Sequence, residues 1–399
     1  MKINTLKTLA TASILVFTIG ANAQLLQTTS KDSVNGKPEY EAALKGRLKL
    51  NGIYDIKGNL HGNSTFGIHS NDVDGKDRPG MWVDMRQSQI RFDGLRRFKT
   101  GKEIFARVEG DFEGGPSNKS TFRIRHAFVK YSNFLLGQTW STFGDGDMWP
   151  ASLFDWDGPT GMVESRRPMV RYTGNLTSKL QTELAAEIME PRRLSDYTVP
   201  ANESINYEPR RAPDFIATLK YNLNPGFFKV ASIYRSIGYG ANNSFKTSDG
   251  YGVSAMVNLF SGANKRNNFQ LQFNSGKGIS DYFLSLGGSG LDGSADRIDA
   301  SKLSLLPVNS GYTSYQHYWT PQFHTLLIAS FNKFDGKDNT FGWDSMQNLY
   351  AGGNMMFDVV PGLTVGAEYL WGKKTLKFAQ GSEKSLPASR VNFGFMYNF

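Results

Sequence analysis

Arginines and carboxylates alternate along short stretches in the first half of this chain. Arg107, Glu109 and Asp111 stand two residues apart, and so do Arg123 and Arg125; Arg91 and Glu103 precede them and Arg171 follows. Arginine stays charged at every physiological pH, and its planar fork fits carboxylates and phosphates. A row of arginines on one face holds a positive field, which a low-dielectric wall would sharpen. The chemistry this suggests is attraction of anions. The same arginines could equally pair with the neighbouring acids in a solvated wall, and the residues alone leave both readings open.

A second constellation runs from Ser141 to Pro159. It carries Asp145, Asp147, Asp155 and Asp157 together with Trp149, Phe154 and Trp156. Aromatic side chains of this size are out of place bare on a surface loop. A loop folded into an enclosed lumen would bury them and set its four acids near the arginines, making a narrow transverse field. The alternatives are a loop packed on its surface neighbours and a latch between subunits.

Signals for catalysis are missing. The histidines at 61, 69, 126, 317 and 324 show no metal-ligand spacing, and neither a G-x-S-x-G elbow nor a phosphate-binding glycine loop is present. The chain has no cysteine, which removes disulfides and thiolate metal sites. The reading is therefore of a protein with no enzyme activity, no metal and no cofactor.

A spacing of two belongs to β-strands, whose side chains alternate between faces. The last residues show it most clearly. Val391, Phe393, Phe395, Tyr397 and Phe399 share one face, while Arg390, Asn392, Gly394, Met396 and Asn398 share the other. A soluble protein seldom ends on such a strand, whereas in a membrane barrel lipid supplies the apolar partner. At mid-depth in lipid a charge costs ~2–4 kcal/mol, so the arginines above must face a lumen. The same alternation recurs over Leu48–Tyr54, Glu103–Phe112, Leu180–Ile188, Asp214–Tyr221, Tyr251–Leu259, Phe269–Asn274 and Leu363–Trp371, and more weakly elsewhere, giving about sixteen strands. Short links, such as Ser132-Asn133 and Asn222–Gly226, alternate with long ones at 56–80, 114–120, 141–167, 190–212, 237–249, 275–311, 335–347 and 373–387. Short periplasmic turns and longer outer loops give that pattern in outer-membrane barrels.

The other end indicates the compartment. Lys2 and Lys7 flank the start of a short apolar run that closes on Ala21-Asn22-Ala23, so residues 1–23 read as a secretory signal. No run approaches the ~18 apolar residues of a spanning helix. Residues 24–45 read as a periplasmic lead-in, with one helical turn at Tyr40–Leu44, and 46–399 as the barrel. Composition agrees with 42 glycines, 28 phenylalanines and 17 tyrosines, which suit turns, strands and interfacial girdles. The formal charge is +9. In an exported barrel this excess is read as lining a pore or facing lipopolysaccharide phosphates, and nucleic acid is not an expected partner.

Taken in order, Arg107–Phe112, Arg123–Val129, Gly137–Phe143, Asp157-Gly158-Pro159 and Arg171-Tyr172-Thr173 resemble the DcaP-like outer-membrane porins, most clearly over residues 85–175. The resemblance implies a sixteen-stranded barrel, usually a homotrimer, with an inward-folded third loop. It also implies a positively lined channel for small anions, notably dicarboxylates and aromatic acids. Arg107, Arg123, Arg125 and Arg171 would be its basic wall, joined by Arg91 from the pattern above. The expectation is a porin passing small solutes with a preference for small anions. A non-selective diffusion porin, a barrel enzyme and an adhesin are the alternatives. The terminal strand is expected to be read by the barrel-insertion machinery.

Overall fold

The computed structural model describes residues 26–399, apart from 61–63, 72–75, 116–118, 151–153, 189–204, 208–210 and 263–264. The expected signal lies outside these residues. Sixteen antiparallel strands close into a barrel. They are β1 (Tyr40–Lys57), β2 (in two pieces, Gly80–Asp84 and Gln89–Arg97), β3 (Glu103–Asp111), β4 (Arg123–Tyr131), β5 (Phe134–Trp140) and β6 (Arg166–Asn175). Next come β7 (Leu180–Glu187), β8 (Asp214–Leu223), β9 (Gly226–Ala241), β10 (Ser244–Ser261) and β11 (Asn267–Lys277). The last five are β12 (Pro307–Tyr318), β13 (Phe323–Asp335), β14 (Ser345–Val360), β15 (Leu363–Lys377) and β16 (Glu383–Asn398). Each pairs with its chain neighbours, and β16 closes the ring on β1 with Asn398 opposite Arg47 and Phe395 opposite Leu50.

Closure leaves no backbone edge unpaired in lipid, where an unsatisfied amide would cost several kcal/mol. The seam is finished by aromatics laid over glycines. The ring of Phe399 covers Gly46 and that of Phe393 covers Gly52, so closely that a Cβ on either glycine would meet the ring at about 2.5 Å. The Phe399 N–H also donates to Gly46 O at 3.0 Å, and Gly46 N–H returns a bond to Phe399 O at 2.8 Å. Deleting Phe399 removes this cover and both bonds at the strand offered for pairing. It is expected to lower the yield of assembled barrel, read as heat-modifiable protein in outer-membrane fractions. Undiminished assembly would remove that role.

Several expectations are corrected. Tyr40–Leu44 is the start of β1, and Leu26–Thr29 pairs along it, so this stretch is extended and not helical. The stretches at 237–249 and 373–387 are not long loops. They are the outer ends of 16- and 18-residue strands joined at Asn242-Asn243, and of β15 and β16 joined over 378–382. Asn242 and Asn243 both take positive φ (51° and 58°), the left-handed pair of a tight hairpin turn.

The outward faces carry Phe92, Val108, Leu184, Phe215, Val253, Leu327 and Tyr369, all exposed to what surrounds the barrel. Inside, the outer half of the lumen is packed like a globular core. Phe66 and Ile68 come from loop 58–79, Phe143, Met162 and Val163 from loop 141–165, and Tyr282, Phe283 and Leu286 from loop 278–306. They bury one another against Ile216, Ile233, Ile328 and Leu370 of the wall. The third loop does fold inward, and two further loops join it there.

Candidate functional site

The inward loop 141–165 is fastened around the far side of the barrel. Asp145 caps a short helical turn by accepting from Asp147 N–H. Its carboxylate also pairs with Lys220 at 2.9 Å and Lys229 at 3.2 Å. Burial alone would raise that carboxyl, but the two lysines hold it below its ordinary value. The carbonyl of Asp147 accepts from Asn258 and Gln270, and that of Met148 from the Tyr312 hydroxyl. Glu368 accepts from the Phe154 and Asp155 N–H groups, both at 3.1 Å. Asp155 itself accepts from Phe66 N–H at 3.0 Å and the Tyr350 hydroxyl at 3.1 Å. Burial, then the charge of Glu368, push its carboxyl up to about 7. At Gly161 the loop touches the wall backbone directly. A Cβ there would lie 2.3 Å from Gly311 O, so only glycine fits.

The arginines stand on the opposite wall. Arg107 forks onto Asp93 at 2.7 and 3.1 Å, and Arg91 approaches the same carboxylate at 3.3 Å. Arg123 meets Asp111 at 2.7 Å and Glu113 at 3.1 Å. Arg125 meets Glu109 at 3.2 Å and Asp111 at 2.8 Å. Arg171 lies 3.8 Å from Glu183. Arg123 keeps 33% of its side chain exposed and Arg125 only 7%, so Arg123 meets the open lumen and Arg125 backs it. A register shift between β3 and β4 beside Glu109 turns both Arg125 and His126 inward, which strict alternation forbids.

The structure separates what the sequence grouped. Of the four loop acids expected near the arginines, Asp145 and Asp155 are locked into the far wall. Asp147 is 75% exposed but its nearest base is Lys220, at 3.6 Å. Only Asp157, accepting from Thr65 Oγ1 at 2.7 Å, lines the same cavity as Arg123. The transverse field of acid facing base is reduced to that one residue. The reason is that Lys220, Lys229, Lys49 and the amide side chains of β10–β13 give the loop better partners on its own side. Trp149 packs on Trp140 at 5.3 Å, while Trp156 is buried under Lys49 and Arg47.

Several contributors were not expected. Lys45 adds charge beside Asp93, Arg47 lies over Trp156, and Arg166 lies over the Trp140 ring at 5.0 Å. Arg166 Nη1 is buried with no hydrogen-bond partner. The length pattern puts Arg166 in the link 141–167, although a basic pair opening an alternating run at Met169 marks it as a strand start. Above these residues lies a cavity of about 1400 Å³, bounded by Arg123, Glu113, Asp157 and Arg166 on one side and by loop 278–306 on the other.

A closed sixteen-strand barrel with short turns at one end and lumen-filling loops at the other is the architecture of outer-membrane porins. Residues 19–399 match the DcaP outer membrane protein family, and the chain belongs to it, as a protein of the Gram-negative outer membrane. Its fold is similar to the outer membrane channel DcaP of Acinetobacter baumannii, with TM-score 0.74 and 20% identity, covering 90% of this chain and 97% of that one. It is also similar to an anion-selective porin from Comamonas acidovorans (TM-score 0.56, 12% identity, 90% and 100% covered) and to OmpT of Vibrio cholerae (0.55, 9%, 92% and 100%). No protein of curated function matches the chain.

Proposed function

We propose that the protein is a passive channel for small hydrophilic solutes with a preference for small anions, dicarboxylates among them. The observation that carries this reading is the asymmetry of the lumen. Arg91, Arg107, Arg123, Arg125, Arg166 and Arg171 stand on one wall, while Asp145 and Asp155 are neutralised or shielded on the other. Family membership and the fold shared with an anion-selective porin support it. So does Arg166, with no described carboxylate in pairing distance. Assembly as a homotrimer, insertion through the barrel machinery and outer contacts with lipopolysaccharide belong to the same proposal.

A second reading has its own observation. Arg107, Arg123, Arg125 and Arg171 each have a carboxylate within 4 Å, and a compensated wall makes a general diffusion porin. The reversal potential across a salt gradient in planar bilayers separates the two. Anion preference is expected in dilute salt and should fade toward 1 M, because the Debye length falls from ~30 Å at 0.01 M to ~3 Å. Cation preference or none in dilute salt would overturn the first reading.

A further inference from the structure

Buried polar groups without partners are rare in a folded protein, and each calls for a reason. Here half of the atoms concerned fall in one place. Among the described residues both carboxyl oxygens of Glu164, Oγ of Ser165, Nη1 of Arg166, Nε of Arg167 and Oγ of Ser285 and Ser289 are buried and make no hydrogen bond. All six residues line the one cavity of about 1400 Å³ above the arginine wall. Glu164 is fully buried, yet its backbone is firmly held, with the N–H donating to Tyr282 O at 3.0 Å. Arg167 is also held in place, its Nη2 donating to Asp281 O at 2.6 Å, so a fixed frame presents the unpartnered atoms to the cavity.

The mix of idle groups selects the ligand. Arginine offers only donors, an ionised carboxylate only acceptors, and serine both. A simple dianion satisfies Arg166 and Arg167 but brings no cation to the two unpartnered oxygens of Glu164. A simple cation suits Glu164 but meets Arg123, Arg166 and Arg167. A solute with a carboxylate and an ammonium group on adjoining atoms satisfies both sides. We propose that this cavity is a recognition site for zwitterionic amino-carboxylates on the way into the channel, with Arg166 taking the carboxylate and Glu164 the ammonium. The proposal rests on the channel reading above and names the solute class for it. Burial raises the Glu164 carboxyl well above the usual range, followed by the charge of Asp145. The ligand's ammonium, as an opposite charge, is what favours ionised Glu164.

Glutamate and glutarate test this, since they share chain length and both carboxylates and differ in the α-ammonium. Each is titrated into single channels in planar bilayers, and the concentration that half-blocks the current is measured. In the wild type glutamate is expected to bind about tenfold more tightly than glutarate, the weight of one charge-assisted hydrogen bond. Glu164→Gln keeps the shape and is expected to abolish that ratio while leaving glutarate block intact or stronger. Arg166→Gln should weaken both. A wild-type ratio near one, or a ratio unchanged in Glu164→Gln, would overturn the proposal. If Glu164→Gln does not assemble, the wild-type ratio still decides. Failure of the channel reading looks different: neither solute blocks or permeates, and the salt gradient gives no anion preference.

Discussion

Replacing Arg123 and Arg125 together by glutamine is expected to move the charge preference of the channel toward cations. Both arginines share Asp111, a fully buried carboxylate, at 2.7 and 2.8 Å, and each holds one further acid, Glu113 or Glu109. Removing the pair leaves three carboxylates grouped on one stretch of wall, with Arg47, Arg86 and Arg166 still acting on them. The local field becomes more negative by two charges, so a salt-gradient reversal potential should move from anion toward cation preference, most strongly in dilute salt. Stability should fall as well, because an acid left unpaired in a buried site costs ~3–5 kcal/mol. Arg166→Gln is the contrasting variant. It removes a positive charge without orphaning an acid, and should lower anion preference while leaving thermal stability near that of the wild type. A double variant that keeps the wild-type reversal potential would sink the arginine wall and leave the barrel untouched.

A pH-dependent conductance is the second large effect expected, and it comes from Asp155. This carboxyl ties loop 141–165 to loop 58–79 through Phe66 and to the wall through Tyr350. Glu368 and Asp157 face it as like charges, Arg390 as the opposing one, and Lys49 bonds the neighbouring Phe154 carbonyl. Its value of about 7 in the folded protein lies above that of an ordinary aspartate, ~4. The docked loop thus favours the protonated form. That contribution is complete below pH ~4 and is lost as pH rises through about 7. Raising the pH from 5 to 8 should loosen the loop and increase both conductance and open-channel noise. Asp155→Asn cannot ionise and should show the low-pH behaviour throughout. A wild type insensitive to pH over this range, or an asparagine variant as sensitive as the wild type, would remove Asp155 as the fastening.

Much of the fold was legible because lipid and lumen impose opposite demands on alternate residues. Val365, Ala367 and Tyr369 could be read as outward, and Glu368 as inward, without any structure. The inward turn of loop 141–165 followed from Trp149, Phe154 and Trp156 needing cover. The same argument applied to Phe66 and Ile68, and to the Ile279–Leu284 run, would have found the other two loops. What alternation could not show is where strands leave the membrane. Beyond the lipid no apolar face is required, so the outer ends of β9, β10, β15 and β16 look like loops. Nor could it show the bulge that turns Arg125 and His126 the same way, or which bases would claim Asp145. Those depend on partners distant in sequence, such as Lys220, Lys229 and Glu368.

The hairpin of β9 and β10 is built from two of the longest strands in the wall. Sixteen residues at ~3.3 Å each make about 50 Å of strand, which at a tilt of about 40° still rises well past the ~25 Å apolar band of such barrels. Its crest at Asn242-Asn243 stands clear of the membrane on a small core of its own, built from Ile237, Tyr239, Ala295 and Leu305. An antibody or a phage fibre approaching the cell meets this crest well before it reaches Arg123. Substitutions at the crest therefore leave the cavity beside Arg123 untouched.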